Sequence, residues 1–222
     1  MAGFFSADNP LSIFIAITVF LGTLAALVSV HEAAHAWMAN RLGDPTAKHQ
    51  GRISLNPLVH IDPLGTVVLP LILIVLGVLS QGPLLLFGWA KPTPFNPWNL
   101  KNPTRDAAII SFAGPVSNFV LAIIIAVIYR IISPFSEEII LLYFQFILTL
   151  TLVLGVFNLI PIAPLDGFKV VAGLLPKDLT LEWQRMERIG PILLIGLIIF
   201  GGSIFQFVVG GLISLFLSIL IG

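Results

Sequence analysis

The chain has 222 residues, 57% hydrophobic and only 10% charged, where a water-facing surface needs roughly 25% charged residues. Eleven basic and eleven acidic residues cancel, so no net field draws nucleic acid; the absence of cysteine removes disulfides, thiolate metal sites and cysteine nucleophiles. A soluble globular fold, a disordered chain and a fibrous repeat are excluded, which leaves an all-α polytopic membrane protein in which any metal is held by His, Asp or Glu.

Five stretches carry no Asp, Glu, Lys or Arg: Pro10–Val30, Pro63–Ala90, Ala107–Tyr129, Ile139–Leu165 and Ile189–Gly222. Each reaches the ~20 apolar residues that span a bilayer, and together they predict about five to six transmembrane helices. Met1–Pro10 lacks the basic start of a cleavable signal, so the first run is read as a permanent span. The length suits one membrane-embedded domain over 1–222, with no appended soluble regulatory domain.

The first helix is predicted over ~Leu11–Leu42, ending at Gly43-Asp44-Pro45. It is apolar to Val30 and then carries His31, Glu32 and His35 without a break. Asp44–Asp62 is polar. Pro63–Ala90 contains Pro70, Gly77, Gln81, Gly82 and Pro83, which argue against one straight helix. Lys91–Arg105 holds Pro92, Pro94, Pro97 and Pro103 and reads as extended. Ala107–Tyr129 and Ile139–Ile160 are clean spans around a short turn with Ser133-Pro134 and Glu137-Glu138. A proline-broken run, Asn158 to Gly167, follows; then come an amphipathic patch to Arg188 and a last apolar stretch interrupted at Gly201-Gly202.

Lys and Arg set the topology. If the region around residues 63–95 is re-entrant or broken and returns to the side it left, Arg41, Lys48, Arg52, Lys91, Lys101 and Arg105 share one face. Two further crossings bring Lys169, Lys177, Arg185 and Arg188 to it and leave Arg130 opposite. That face is assigned to the cytoplasm, in a multi-pass protein of the cell membrane. Irregular backbone at membrane depth requires protein or a wet cavity beside it.

The sharpest chemical signal is His31-Glu32-Ala33-Ala34-His35. Residues four apart on a helix lie ~40° apart around the axis and ~6 Å along it, so two imidazoles can converge on one ion at ~2.0–2.1 Å. Glu32, one position on, reaches toward water beside the ion and suits a general base. With 4 His in the chain, random placement gives this pattern about 0.002 times, well below an isolated motif match. Ionisable groups within a span are costly and mark function. A catalytic zinc takes a third protein ligand and keeps one position open. The candidates are His49, His60, Asp62, Asp166 and the scattered acids; Asp166 stands out because Pro161, Pro164 and Gly167 surround it with a turn just past a span. Its competing reading is a helix N-cap. For His60 and Asp62, supporting or structural roles are favoured, and His49 is read as solvated.

Three separated motifs, His31–His35, Phe112-Ala-Gly114-Pro115-Val-Ser117-Asn118 and Asn158…Pro161…Leu165-Asp166-Gly167, resemble those of the site-2 protease family of intramembrane zinc metalloproteases, in the family's order. The resemblance implies one Zn²⁺ per chain held by His31, His35 and Asp166, with Glu32 as catalytic base. It further implies that Asn158 orients substrate or stabilises the oxyanion. Ala34 and Phe168 stand where the family often has Gly. Gly114-Pro115 and Asn118 are expected to let a later helix approach the first closely, with Asn118 hydrogen-bonding across.

The sequence therefore reads as an intramembrane zinc metallo-endopeptidase hydrolysing transmembrane protein substrates within the lipid bilayer, with no nucleic-acid partner and an unassigned oligomeric state. The alternatives are a metal-ion transporter and a catalytically inactive client-binding protein. An unwound substrate could add as a strand to Gly88–Pro97; the competing reading is an interfacial loop with Trp89 and Trp98 in the aromatic belt.

Overall fold

The computed structural model describes residues 10–80, 90–202 and 206–222. Among them every regular element is helical, and three helices are long and apolar enough to cross a membrane. These are α1 (Pro10–Arg41), α4 (Pro103–Ile132) and α5 (Glu138–Asn158). The one-turn α2 (Thr46–His49) follows α1, and α3 (Leu69–Ser80) continues from a π-helical turn over Pro63–Val68. Beyond α5 lie α6 (Asp166–Leu174), α7 (Lys177–Arg185), α8 (Gly190–Phe200) and a terminal helix, Gly211–Ile221. The all-α membrane fold read from composition is the observed one. The expected breaks at Gln81–Pro83 and the beginning of the extended stretch at Gly88-Trp89 lie outside the described residues.

Helix α4 is the hub, packed against α1, α5 and α6. Its inward face is built from small residues: Ala122 and Ala126 with Ile125 meet Leu148 and Leu152 of α5, and the terminal helix closes over them through Phe216 and Leu220. Its outward face, Val120, Ile123, Ile124, Val127 and Ile131, is exposed and apolar. Lipid is as apolar as the core, so packing and small residues decide which face turns inward, not hydrophobicity. At 1.5 Å per residue α4 is about 45 Å long and α5 about 32 Å, both sufficient for a ~30 Å hydrocarbon layer.

The two ends of the 63–90 segment lie side by side. The Lys91 N–H donates to the His60 carbonyl at 2.9 Å, so the chain leaves and rejoins the same side. A re-entrant or broken segment requires its two ends to lie together in this way; residues 81–89 between them lie outside the described residues. Lys169 of α6 sits 5.0 Å over the Phe95 ring, which brings that residue of the second basic cluster to the same side. At the opposite end, Arg130 donates to the Ile219 carbonyl at 3.1 Å.

Asp44 clasps this side together. Its buried carboxylate accepts from the Thr46 N–H (3.1 Å) and Oγ1 (2.6 Å), the Asn96 N–H (2.6 Å) and Asn99 Nδ2 (2.7 Å). Burial alone would raise its pKa; hydrogen bonds from Thr46, Asn99 and Asn96 outweigh burial and hold the carboxyl below its ordinary value. The end of α1 is thereby tied to the extended stretch 90–96. Just before it, Gly43 has φ +105°, a conformation that a side chain would strain.

Candidate metal centre

The α1 ladder continues unbroken through residues 31–35 because Ala33, Ala34 and Ala36 are strong helix formers, and His31 and His35 fall on its buried face, 4% and 7% exposed. Their Nε2 atoms are 3.0 Å apart. Asp166 Oδ2 completes a triangle, 3.1 Å from His31 Nε2 and 3.2 Å from His35 Nε2. A tetrahedral ion with ~2.0–2.1 Å bonds separates its ligands by ~3.3–3.4 Å, so the spacing and the two-imidazole, one-carboxylate donor set fit zinc. About ten residues separate His31 from Arg41, which sets the cluster ~15 Å inside the end of α1.

Asp166 is the first residue of α6, and Leu165 occupies the cap position without a side-chain cap bond. The N-cap alternative therefore does not hold: the carboxylate faces the imidazoles. Gly167 corrects the expected turn. It lies within α6, and a Cβ there would meet the Ile160 carbonyl oxygen at 2.6 Å and the Leu159 carbonyl as well. What the position requires is the close approach of α6 to the end of α5.

The rings are oriented from α4. His35 Nδ1 lies 2.7 Å from the Ile110 carbonyl, and His31 Nδ1 lies 3.1 Å from the Asn118 amide. Between them Gly114 faces the imidazoles, where a Cβ would stand 2.5 Å from His35 Cε1 and 2.7 Å from His31 Cε1. The predicted close approach and cross-helix bond are both present. Residues 110, 114 and 118 are spaced by four and so share one face of α4.

Glu32 has its ligand atoms within 4.8 Å of both histidines'. Its Oε2 accepts the Thr93 N–H at 2.9 Å, and its own carbonyl accepts Thr93 Oγ1 at 3.1 Å. No side-chain pattern marks this contact, because the donor to the carboxylate is a backbone group. A cavity of about 420 Å³ opens beside the cluster, lined by Glu32, Thr93, Phe95, Asn158 and Lys169 among others. Asn158 reaches this cavity while its Nδ2 donates to the Leu154 carbonyl at 2.9 Å.

Other candidates fall elsewhere. His60 is buried, with Nε2 2.8 Å from the Ser54 carbonyl. Asp62 caps the Pro63 turn through the Leu64 and Gly65 N–H groups. His49 is exposed. These are the structural roles favoured for His60 and Asp62, and none of the three joins the cluster. Trp98 is 92% exposed, as an interfacial residue would be.

The model of Peptidase family M50 matches residues 19–139, more than half the chain, including His31, Glu32, His35 and the 112–118 motif. The chain belongs to peptidase family M50. This is the site-2 protease family of membrane zinc metalloproteases, in agreement with the three long apolar helices. Among curated relatives, the chain is 35% identical over 184 residues to the Bacillus subtilis protein named "Putative zinc metalloprotease YwhC", covering 80% of this chain and 78% of that one. It is 32% identical over 178 residues to "Putative zinc metalloprotease Rip2" of Mycolicibacterium smegmatis, covering 80% and 63%. With the Mycobacterium tuberculosis Rip2 it shares 28% over 152 residues, covering 68% and 55%. No solved structure matches the chain.

Proposed function

We propose that this M50 member is an intramembrane zinc endopeptidase in which His31, His35 and Asp166 hold one zinc ion and Glu32 is the general base. One observation carries the reading: three candidate ligand atoms from α1 and α6 converge within 3.0–3.2 Å of one another beside a carboxylate, on a cavity. When bound, zinc supplies Lewis acidity and acidifies water toward neutral pH.

The chain's own groups then perform the proton work. Glu32 takes a proton from the attacking water and returns it to the leaving amide nitrogen. The Thr93 N–H holds one oxygen of that carboxylate, so the other is aimed without a loss of side-chain entropy at the moment of reaction. Asn158 is assigned to the developing oxyanion, where a donor contributes about 2.7–4 kcal/mol. Its amide keeps a second N–H beyond the one given to Leu154.

The substrate is a transmembrane segment of another protein. A helix in lipid has every carbonyl paired and must unwind before attack. The carbonyls of Lys91–Pro94 accept no backbone hydrogen bond among the described residues, and this stretch lines the cavity, so it suits strand addition by the unwound peptide. A transporter needs polar groups past the ion, whereas the apolar cavity wall includes Leu24, Val28, Leu154 and Leu194. The helices act as one membrane-embedded domain, cutting near the cytoplasmic face of the cell membrane.

The test is purified protein in liposomes with a tagged single-span substrate, wild type against Glu32→Gln. The proposal expects zinc in both proteins and cleavage by the wild type only, with a loss of at least about 100-fold in the variant. Equal cleavage by both refutes Glu32 as the base, and no zinc in the wild type refutes the enzyme.

A further inference from the structure

Asn118 is fully buried on α4, and its two amide atoms are in opposite situations. Nδ2 lies 3.1 Å from His31 Nδ1, while Oδ1 is buried without a hydrogen-bond partner among the described residues. A buried acceptor left unpaired carries a cost and calls for an explanation.

His35 supplies the comparison. Its Nδ1 faces the Ile110 carbonyl, which only accepts, so the ring proton sits on Nδ1 and the Nε2 lone pair points at His31 and Asp166. His31 needs the same tautomer to ligate through Nε2, and its Nδ1–H then needs an acceptor. Asn118 is the group at that nitrogen. With Nδ2 toward the ring, the amide donates to Nδ1 and the proton moves to Nε2, which donates to Asp166 Oδ2 at 3.1 Å. A half-turn of the amide exchanges its two ends and brings the unpartnered Oδ1 onto Nδ1.

We propose that Asn118 is a positioning residue that selects the ring tautomer of His31: its Oδ1 holds the proton on Nδ1 and frees Nε2 for the metal. The two amide orientations correspond to a ring committed to Asp166 and a ring committed to the ion. Groups that orient a metal-bound imidazole in this way affect affinity about 10–100-fold. The inference rests on the zinc reading above.

The experiment uses the full chain in detergent, with ¹⁵N-labelled imidazoles and zinc affinity measured against a competing chelator. The chain has only four histidines to resolve. Zinc-loaded wild type is expected to show His31 protonated at Nδ1. Asn118→Leu, similar in size but without an acceptor, is expected to bind zinc about 10–100-fold more weakly while unfolding no earlier than wild type in chelator. Asn118→Asp, which keeps an acceptor oxygen, is expected to retain wild-type affinity. Wild-type affinity in Asn118→Leu, equal weakness in both variants, or a zinc-loaded His31 protonated elsewhere than Nδ1 overturns the role of Asn118. Wild type that binds no zinc overturns the zinc reading itself, and this inference with it.

Discussion

Replacing Gly114 by alanine sets two effects of known size against each other. Alanine in a helix interior is favoured over glycine by about 1 kcal/mol. The new methyl, however, would stand 2.5 Å from His35 Cε1 and 2.7 Å from His31 Cε1, where carbon contacts settle at ~3.5–4.0 Å. Something must yield by ~1 Å, at an overpacking cost of about 1–3 kcal/mol. The rings have little freedom, since His35 is fixed by Ile110 and both imidazoles face Asp166. A metal site tolerates errors of only ~0.2 Å in ligand distance. Gly114→Ala is thus expected to change thermal stability by no more than about 2 kcal/mol while weakening zinc binding more than tenfold in chelator competition. Gly22→Ala is the control: nothing lies within 4 Å of a Cβ there, so the same substitution in α1 should be neutral or stabilising by up to about 1 kcal/mol. Wild-type zinc affinity in Gly114→Ala would refute the idea that α4 must pass bare over the two imidazoles.

Gly167→Ala sets a methyl against the Leu159 and Ile160 carbonyls, so α6 moves and carries Asp166 with it; we expect a loss of about 1–3 kcal/mol in thermal unfolding together with a loss of bound zinc. Thr93→Pro removes the N–H that holds Glu32 and should lower cleavage at least about tenfold, the weaker end of a hydrogen bond to a charged group, with zinc content unchanged. Hydrogen bonds from Thr46, Asn99 and Asn96 hold the Asp44 carboxyl below its ordinary value in the folded protein, so its contribution is fully present above the unfolded pKa near 4 and disappears as pH falls through the lower folded value. Unfolding curves below pH 4 should show that loss in wild type. Asp44→Ala should unfold about 3 kcal/mol more easily at neutral pH and show little further acid dependence from this position.

What could be read from the sequence followed the reach of local geometry. Helical rise alone brings His31 and His35 together, and the distribution of eleven basic residues was enough to predict a segment that leaves and rejoins one side, as the Lys91–His60 bond shows. Asp166, 135 residues from His31, came within reach only through its motif and that topology. Gly114 and Asn118 were legible as a close helix crossing, but not as the groups that face the imidazoles. The Ile110 carbonyl and the Thr93 N–H had no side-chain signature, since every residue carries such groups. Asp44 gave no warning either: its four hydrogen bonds come from Thr46 in the neighbouring turn and from Asn96 and Asn99 about fifty positions away. Gly167 was assigned a turn because glycine is common in turns; here it answers to crowding between two helices.

Zinc-edge X-ray absorption on the purified wild-type chain and on Asp166→Ala tests the proposed site most directly. Two histidine nitrogens and a carboxylate oxygen at ~2.0–2.2 Å, one zinc per chain, and loss of that ion in Asp166→Ala are the predicted results. A zinc shell that is unchanged without Asp166, or that contains a third imidazole, would contradict it.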